Sequence, residues 1–252
     1  MDIQGSVAIV TGANRGIGEG FVRVLIEQGA AKVYAGARDP ASAQHLVDQY
    51  PGKVFAVRLD VAKPDQVSEA AAACPDVSVV VNNAGVSTGK LLIGSDDMSA
   101  MREEMEINYV GPVAMSRAFA PVLKANGGGA ILNVLSVAGI VAVPNMGGYS
   151  PSKFAMRAAG SCIRAELAGQ GTSVTSLIVG SVDTRMASHV KGAKEAPEDI
   201  ARAAMKGITR GVDEIDTDRF AIESRAALAR DPKGMERAMA KMLHARELST
   251  GR

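Results

Sequence analysis

Val7-Ala8-Ile9-Val10 leads directly into Thr11-Gly12-Ala13-Asn14-Arg15-Gly16-Ile17-Gly18 near the start of the chain. The first four residues form a short apolar run that is typical of a buried strand, and helical periodicity follows from Gly18 to Gln28. Gly29 comes next as a stop signal. This part of the chain therefore predicts a β-strand, a glycine-rich turn and an α-helix in immediate succession.

Strand and helix signals alternate along the rest of the chain. Besides the strand at 7–10, the apolar patterns predict strands at 32–37, 54–59, 77–81, 130–135, 173–179 and 213–216. They predict helices at 18–28, 40–49, 64–73, 98–124, 149–168 and 197–210, and a charged amphipathic helix at about 218–247. Such alternation is typical of a doubly wound α/β fold, in which helices cover both faces of a parallel sheet. Since no linker or repeat interrupts residues 1–252, we predict a single Rossmann-type domain with about seven strands.

The composition is that of a globular protein without a strongly charged surface. Hydrophobic residues make up 47% of the chain and charged residues 22%, and the net charge is +1. That balance gives no electrostatic reason to expect binding to nucleic acid or an anionic membrane. Cys74 and Cys162 form no motif and the histidines lack ligand spacing, so neither a disulfide framework nor a metal site is expected. Since no membrane-spanning run or leader is recognised in the sequence, we expect a cytoplasmic, unprocessed protein.

Three glycines, Gly12, Gly16 and Gly18, separate the first predicted strand from the first predicted helix. In a parallel sheet such a turn lies at the carboxyl edge, where glycines let backbone N–H groups approach a pyrophosphate. The spacing differs from the Gly-x-Gly-x-x-Gly fingerprint, and no Gly-Lys-Ser/Thr follows as in a P-loop. A plain tight turn is the alternative, but the position between strand and helix favours a dinucleotide site.

The end of the second predicted strand bears on which dinucleotide binds. An acidic side chain about 20 residues after the glycines would bind the ribose 2′-hydroxyl of NAD, but Ala37 occupies that position and Arg38 follows it. Arg38 and Arg15 together favour NADP, because guanidinium groups form bidentate bonds with a 2′-phosphate. The alternative is that Arg38 is solvated, while Asp39 turns inward to bind NAD or caps the next helix.

Tyr149 and Lys153 are four residues apart in Tyr149-Ser150-Pro151-Ser152-Lys153. If Tyr149 opens a helix, both side chains project from one face, and Pro151 is tolerated in a first helical turn. An ammonium group at about 4 Å can lower the pKa of a phenol from about 10 towards 7, which makes the phenol a usable acid and base. Ser136 could add a hydrogen bond to the same reacting oxygen. Taken alone, this short pattern more often marks an amphipathic anchor and a solvated lysine.

Taken together, and in the order in which they follow along the chain, the motifs resemble those of the short-chain dehydrogenase/reductase superfamily. Thr11 to Gly18 is similar to the cofactor turn of that family, and Leu59-Asp60-Val61 to the segment that holds the adenine ring. Asn82-Asn83-Ala84-Gly85 is similar to the segment that follows its fourth strand and borders the cofactor. The resemblance covers about the first 185 residues and implies an oxidoreductase with a nicotinamide cofactor.

Asn108, Ser136, Tyr149 and Lys153 match the catalytic tetrad of this family. The resemblance implies that Tyr149 is the general acid in carbonyl reduction and the general base in alcohol oxidation. Lys153 is implied to lower the pKa of Tyr149 and to bind the nicotinamide ribose, and Ser136 to orient and polarise the carbonyl. Asn108 is implied to hold a water that links Lys153 to a proton relay. Taken alone, Asn108 could instead brace a helix bend near Gly111-Pro112, and the Asn-Asn-Ala-Gly segment could be an ordinary strand-end turn.

The resemblance also assigns the cofactor contacts. Besides Tyr149 and Lys153, these are Gly12, Asn14, Arg15, Gly16, Ile17, Gly18, Arg38, Asp60, Val61, Asn83, Ala84, Gly85, Gly180, Val182 and Thr184. Val179 stands where the family usually has a proline before the glycine, which leaves the backbone beside the nicotinamide amide less restrained. The C-terminus lacks the Asp-Gly-Gly ending of many tetrameric members. We therefore expect a homodimer through the helices at 98–124 and 150–168, or the usual homotetramer.

The expected substrate pocket lies among the segments 86–92, 137–146 and 181–195. Its expected lining is apolar and consists of Ile140, Val141, Val143, Met146 and Met186. The substrate loop, at about 181–196, is expected to close over the substrate as a lid. These features predict an NADP(H)-dependent carbonyl reductase or alcohol dehydrogenase that acts on a neutral, hydrophobic ketone or aldehyde. The alternatives are a 3-oxoacyl-thioester reductase of the same fold and a regulator that senses NADP without turnover, although the intact tetrad argues against the regulator.

Overall fold

The structure, a computed structural model, describes residues 1–188 and 194–250, without the side chains of 242 and 244–250. Within these ranges the chain forms one sheet of seven strands whose neighbouring pairs are all parallel. The strands are β1 Val7–Thr11, β2 Lys32–Ala37, β3 Val54–Arg58, β4 Val79–Asn82, β5 Gly129–Val134, β6 Thr172–Ile178 and β7 Glu214–Asp216. Their order across the sheet is β3-β2-β1-β4-β5-β6-β7, which confirms the predicted fold class.

Helices connect the strands and cover both faces of the sheet. They are α1 Gly16–Glu27, α2 Gln44–Gln49, α3 Pro64–Ala73, α4 Ser99–Met105, α5 Gly111–Ala125, α6 Tyr149–Leu167, α7 Pro197–Arg210, α8 Arg219–Arg230 and α9 Pro232–Thr250. The predicted bounds of α3, α7 and β2 are confirmed to the residue, and the other predicted elements differ from the structure at one or both ends or are divided. Among the described helices, none has the length and apolar character needed to span a membrane.

Each face of the sheet has its own hydrophobic core. On one face, Ala8 of β1 belongs to the same buried cluster as Phe21 of α1. On the other face, Ile9 of β1 belongs to the same buried cluster as Phe119 of α5. Successive side chains of a strand point to opposite faces, so a strand that is covered on both sides has to be apolar throughout. This requirement explains the unbroken apolar run from Val7 to Val10.

The strand order reverses at β1. β2 and β3 lie on one side of β1, and β4 to β7 lie on the other side. In open α/β sheets, ligands bind outside the carboxyl ends of the strands at such a switch point. Thr11 ends β1 and Asn82 ends β4, so the predicted cofactor turn and the Asn-Asn-Ala-Gly segment emerge side by side.

The helix predicted over 98–124 is interrupted. α4 ends at Met105, a π-helical turn occupies Glu106–Val110, and α5 begins at Gly111. The interruption therefore precedes the Gly111-Pro112 pair, where a bend was expected. A Cβ on Gly111 would lie 2.8 Å from Cγ2 of Val61, so glycine allows close packing against the loop after β3. Single π-helical turns of this kind are frequent at functional sites.

The single helix predicted over about 218–247 is wrong, because the structure has two helices there. α8 ends at Arg230 and α9 begins at Pro232. Proline lacks the N–H that a helix interior needs, and it disfavours helical backbone angles at the residue before it. Asp231 accordingly has a φ of −145° and a ψ of 83°. Met235 and Met239 of α9 pack against a buried cluster.

Phe119 is fully buried between α5 and the sheet, whereas Phe55 of β3 is 42% exposed. We expect Phe119→Ala to lower the free energy of unfolding by about 3–5 kcal/mol, because it removes a large buried side chain and leaves a cavity. Phe55→Ala, the matched control, should cost about 1 kcal/mol or less. Urea unfolding of both variants measures the difference, and equal losses would contradict the assignment of the core.

Candidate active site

The glycine-rich turn joins β1 to α1 through backbone conformations that suit glycine. Gly12 and Gly16 have positive φ angles of 64° and 57°, and α1 begins at Gly16. A Cβ on Gly18 would overlap the carbonyl oxygen of Gly12, so a larger residue would displace the turn. Three glycines without side chains therefore lie at the entry to a helix N-terminus, which is the arrangement that accepts a pyrophosphate. The residues present thus fit a dinucleotide.

Hydrogen bonds join this turn to the segment after β4. The hydroxyl oxygen of Thr11 accepts from the backbone N–H groups of Asn83 and Ala84, both at 2.9 Å. In return, Nδ2 of Asn83 donates to the carbonyl oxygens of Thr11 at 2.9 Å and Gly12 at 3.2 Å. The Asn-Asn-Ala-Gly segment is therefore more than a strand-end turn, since it fixes the glycine-rich turn in place.

Arg15 and Arg38, the predicted phosphate ligands, are both exposed. Arg15 precedes α1 directly, and Arg38 follows the last residue of β2. In the described part of the chain, neither guanidinium group forms an ion pair or a hydrogen bond with a protein side chain. Oδ1 of Asp39 accepts from the N–H of Ala41 at 3.1 Å and caps a 3₁₀ turn at Pro40–Ala43. Of the roles considered for Asp39, the helix cap is the one that this contact supports.

Other predicted cofactor residues are spread along the same edge of the sheet. Asp60 and Val61 follow β3, where Oδ1 of Asp60 accepts from the N–H of Ala62 at 3.1 Å and Val61 is buried. Asn14 is half-buried in the glycine-rich turn, and Ile17 of α1 packs against the core. In the sheet, β2 lies between the strand that precedes Asp60 and the strand that precedes the glycine-rich turn. Asp60 is therefore placed to contact the far end of an extended ligand and not its phosphates.

Tyr149, Ser136 and Lys153 meet at the carboxyl end of β5. Tyr149 is the first residue of α6, and Lys153 follows one helical turn later with its Nζ 5.5 Å from the centroid of the Tyr149 ring. Their side chains are buried, with 9% and 5% exposure. Ser136 caps a short 3₁₀ turn at Val137–Gly139, where its Oγ accepts from the N–H of Ala138 at 3.2 Å. The alternative of a solvated lysine is therefore wrong.

The ammonium group of Lys153 is held by the main chain. Its Nζ donates to the carbonyl oxygen of Val134, the last residue of β5, at 2.8 Å. A Cβ on Gly85 would lie 3.7 Å from this Nζ and 3.2 Å from Oδ1 of Asn108. Burial lowers the pKa of Lys153 from 10.5 to about 8. A lysine with this pKa is still mostly protonated at neutral pH.

The pKa of Tyr149 is raised above 10.0, against the sequence prediction that Lys153 lowers it. Burial of the hydroxyl is the largest cause, and the negative charge of Glu104 adds to it, while a hydrogen bond with Ser136 acts in the opposite direction. The prediction considered the attraction of the ammonium group and left out the loss of water around the phenol, which disfavours phenolate. Here the lysine proton is directed to Val134. In this structure Tyr149 is accordingly a protonated phenol at neutral pH.

Asn108 lies in the π-helical turn and uses its amide to join two parts of the site. Oδ1 accepts from the N–H of Val86 at 2.9 Å, and Nδ2 donates to the carbonyl oxygen of Val86 at 2.9 Å and to Oγ of Ser152 at 3.0 Å. Ser152 in turn donates to the carbonyl oxygen of Tyr149 at 2.6 Å. Asn108 therefore ties the segment after β4 to the first turn of α6, in addition to any bond it makes with water.

The loop after β6 reaches back to the glycine-rich turn. A Cβ on Gly16 would lie 3.1 Å from Cγ2 of Thr184, and Val182 is buried with 3% exposure. The N–H of Gly180 donates to Oδ2 of Asp218 at 2.7 Å, and a Cβ on Gly180 would overlap Oδ1 of the same carboxylate. Asp218 also caps α8 through the N–H of Ala221 at 2.9 Å. It supplies a restraint on this loop that the sequence, with valine in place of proline, did not predict.

The substrate segments are only partly as predicted. Ile140 and Val141 are 4% exposed and belong to a packed cluster with Met156 and Ile178, so they support the wall of the site without lining it. The proposed lid spans 181–196, and its residues 189–193 lie outside the described part of the chain. Its two described sides meet in a bridge between Val182 and Glu195.

Four residues at the site were not singled out from the sequence: Thr11 as the link to Asn83, Ser152 as the partner of Asn108, Asp218 and Glu104. The N-cap role of Asp218 has a local signal, since an aspartate before an amphipathic run is a typical helix start. The other contacts join residues that are distant in the chain, and no spacing rule predicts them. Among the described residues, no group of three or more His, Cys, Asp or Glu side chains is placed to hold a metal ion.

The comparisons with known proteins agree with this geometry. The chain is 35% identical over 199 residues to dehydrogenase/reductase SDR family member 7B of Danio rerio, and this match covers 73% of this chain and 63% of that protein. It is 33% identical over 211 residues to a 3-alpha-(or 20-beta)-hydroxysteroid dehydrogenase of Mycobacterium tuberculosis, and this match covers 80% of this chain and 76% of that protein. The chain thus spans less than two thirds of the length of the member 7B relatives.

A solved structure matches nearly the whole chain. It is a short chain dehydrogenase from Burkholderia cenocepacia in complex with NADP, with 39% identity, a TM-score of 0.86 and 98% of each chain covered. The family model for short chain dehydrogenases matches residues 6–195, the range that holds the glycine-rich turn, Asn108, Ser136, Tyr149 and Lys153. The chain belongs to the short-chain dehydrogenase/reductase family.

Proposed function

We propose that this protein is an NADP(H)-dependent oxidoreductase that reversibly reduces a neutral, hydrophobic ketone or aldehyde to an alcohol. The observation that carries the proposal is the grouping of buried Tyr149 and Lys153 with half-buried Ser136, where Lys153 lies beside Gly85. These side chains lie at the sheet edge where the glycine-rich turn is fixed, so a hydride carrier and a proton donor would meet there. A site that only sensed the dinucleotide would have no use for the buried phenol.

Tyr149 is suited to the reductive direction. Its raised pKa keeps the hydroxyl protonated at neutral pH, so the phenol can donate its proton to the oxygen of a carbonyl as that oxygen gains negative charge. Ser136, whose hydroxyl partly offsets the rise in the pKa of Tyr149, would donate to the same oxygen and orient the carbonyl. In alcohol oxidation the same groups act in reverse, with Tyr149 as the base.

Lys153 and Asn108 hold the rest of the arrangement. We propose that Lys153, fixed by the carbonyl oxygen of Val134, binds the hydroxyls of the nicotinamide ribose and favours ionisation of Tyr149 during turnover. Bound NADPH would supply the hydride that adds to the carbonyl carbon. Asn108 joins the segment at Val86 to the first turn of α6. We propose that it also holds the water of a proton relay.

NADP is the proposed cofactor because two exposed guanidinium groups flank the glycine-rich turn. Arg15 lies within the turn, and Arg38 follows Ala37, whose position holds an acid in proteins that bind the 2′-hydroxyl of NAD. Asp39 is engaged as a helix cap. The NADP complex of the Burkholderia relative supports the same choice.

The hydroxysteroid dehydrogenase among the relatives supports a neutral, hydrophobic ketone as substrate. The net charge of +1 also offers no concentrated basic surface for an acidic carrier protein. We also propose a homodimer through the helices at 98–124 and 150–168, or a homotetramer, and a cytoplasmic location.

Oxidation of NADPH with a panel of apolar ketones and aldehydes, and with a 3-oxoacyl thioester, tests the function. We expect turnover with several apolar ketones. Good activity on the thioester and low activity on every ketone would favour the thioester reductase, and binding of NADP without any turnover would favour a regulator.

Tyr149→Phe tests the acid–base role, because it removes the hydroxyl and keeps the ring. We expect kcat to fall about 10²–10⁴-fold, while the Kd for NADPH, measured by fluorescence titration, stays within a factor of two or so. Tyr50→Phe at the end of α2 is the control and should retain kcat. Full activity of Tyr149→Phe would refute the proposed mechanism.

Arg38→Ala tests the cofactor preference. Loss of a charge-assisted contact of about 1.5–3 kcal/mol should raise the KM for NADPH about 10–100-fold and leave the KM for NADH nearly unchanged. Arg210→Ala in the last turn of α7 is an exposed control. If wild-type protein used NADH with an equal or better kcat/KM than NADPH, the assignment of NADP would be wrong.

Lys153→Met should stabilise the protein at neutral pH while it abolishes turnover. The pKa of Lys153 is about 8 in the folded protein against 10.5 in the unfolded chain, which corresponds to a cost of about 3 kcal/mol for holding the ammonium buried. The lost hydrogen bond to Val134 offsets about 1 kcal/mol of the gain, so the net stabilisation at pH 7 should be about 2 kcal/mol.

The pH dependence of this effect has a defined sign. Between pH 8 and 10.5 the unfolded chain binds more protons at this lysine than the folded protein does, so wild-type stability should rise with pH relative to Lys153→Met. Urea unfolding at pH 7 and pH 10 measures the difference, with the exposed Lys206→Met as control. A Lys153→Met variant that is less stable than wild type at pH 7 would show that the buried ammonium group does not destabilise the fold.

A further inference from the structure

Glu104 of α4 is a buried carboxylate whose place is fixed from two sides. It is 1% exposed, and its Oε1 accepts from the backbone N–H of Thr88 at 2.6 Å and from the Thr88 hydroxyl at 3.0 Å. A Cβ on Gly148 would overlap the other oxygen, Oε2, so that oxygen packs against the main chain just before α6. The carboxylate therefore fills the space between the segment after β4 and the start of α6.

The second oxygen of Glu104 is both unpaired and shielded from solvent. Oε2 has no hydrogen-bond partner among the described residues. Lys90 and Asp97 line a cavity that Glu104 also borders, but no described lysine or arginine forms an ion pair with Glu104. A buried carboxylate oxygen without a donor lowers the stability of the fold. Proteins keep such groups mainly where function needs them, so the place of this charge calls for a functional reason.

The unpaired oxygen lies close to Tyr149. The overlap at Gly148 puts Oε2 within about 4 Å of the Cα of Gly148, and consecutive Cα atoms are about 3.8 Å apart, so Oε2 lies within about 8 Å of the Cα of Tyr149. Tyr149 and Glu104 are both buried, and water screens charges much less in the interior than at the surface. The charge of Glu104 is accordingly one of the causes that raise the pKa of Tyr149.

Two groups act on Tyr149 in the opposite direction. The ammonium group of Lys153, on α6 itself, lies 5.5 Å from the centroid of the ring, and Ser136, from the segment after β5, contributes a hydroxyl. A positive charge and a hydrogen bond both favour the phenolate, whereas burial and a negative charge favour the phenol. Glu104 is the group from α4 that counteracts Lys153.

We propose that Glu104 is a positioning residue for the proposed general acid: Thr88 fixes the carboxylate beside the start of α6, and its charge keeps Tyr149 in the form that donates a proton. The inference deepens the proposed function and rests on it. Carbonyl reduction needs a protonated phenol, and alcohol oxidation needs the phenolate. Glu104 thus biases the site towards reduction.

Glu104→Gln tests the charge, because the amide oxygen can still accept from Thr88. Ionisation of Tyr149 is followed in the full chain, without substrate or cofactor, by ¹³C NMR of tyrosine labelled at Cζ, and Tyr149→Phe assigns the signal. We expect Tyr149 of Glu104→Gln to ionise at least about half a pH unit below that of wild type, since loss of a nearby negative charge favours phenolate. Circular dichroism over the same pH range checks that each protein is folded.

Two controls separate the charge from the packing. Thr88→Val removes the hydroxyl bond to Oε1 and keeps the carboxylate, and Glu103→Gln removes an exposed charge of α4. Both should ionise Tyr149 at the same pH as wild type. An unchanged midpoint in Glu104→Gln, or an equal shift in Thr88→Val, would overturn the proposal. Absence of Tyr149 ionisation up to about pH 11 in both wild type and Glu104→Gln would also overturn it.

The pH profile of kcat/KM for carbonyl reduction is the second readout. Its fall at alkaline pH reports loss of the donated proton from the free enzyme, and we expect that fall at lower pH in Glu104→Gln than in wild type. An active wild type with the same alkaline limb in both proteins would refute the role of Glu104 alone. If wild type reduced no carbonyl compound, the proposed function would fail, and the NMR titration would still decide whether Glu104 acts on Tyr149.

Discussion

The buried ammonium group of Lys153 is the constraint around which the site is built. It lies at the end of β5, donates to the carbonyl oxygen of Val134 and stays mostly protonated at neutral pH although burial lowers its pKa to about 8. Its neighbours have to be small: a Cβ on Gly139 would lie 3.1 Å from Cβ of Lys153, and Gly85 passes close to Nζ. A side chain at Gly139 would crowd the lysine, and one at Gly85 would crowd Oδ1 of Asn108, 3.2 Å from the added Cβ. The protein keeps a charge that costs stability at the one edge of the sheet where a nicotinamide would need it.

The fold could be predicted largely from local patterns, because the sheet is parallel and covered on both faces. Its strands have to be continuous apolar runs, and its helices have to be amphipathic. The apolar pattern of each segment therefore predicts whether it forms a strand or a helix. The exceptions have local physical causes that a coarse pattern does not resolve. The π-helical turn at Glu106–Val110 keeps helical periodicity on either side of it, and the break at Asp231–Pro232 lies inside one long charged run.

The candidate site was predicted unevenly for a different reason. Residues that act through backbone conformation or through spacing within one element, such as Gly12 or the pair of Tyr149 and Lys153, leave a signal in the sequence. Contacts between distant segments leave none, which is why the bonds from Thr88 to Glu104 and from Gly180 to Asp218 appear only in the folded chain. The direction of the Tyr149 pKa was missed because an attraction between charges was weighed without the burial that opposes it.

Asp218 lies outside the range 6–195 that the family model matches, yet its carboxylate holds the N–H of Gly180 at 2.7 Å and starts α8. One side chain therefore connects α8 to the loop after β6. A chimaera that joined the first part of this chain to the C-terminal part of a relative would leave that N–H without its acceptor, unless an aspartate were carried across at the same place. A junction between two family members should therefore not separate Gly180 from Asp218, although the range matched by the family model ends between them.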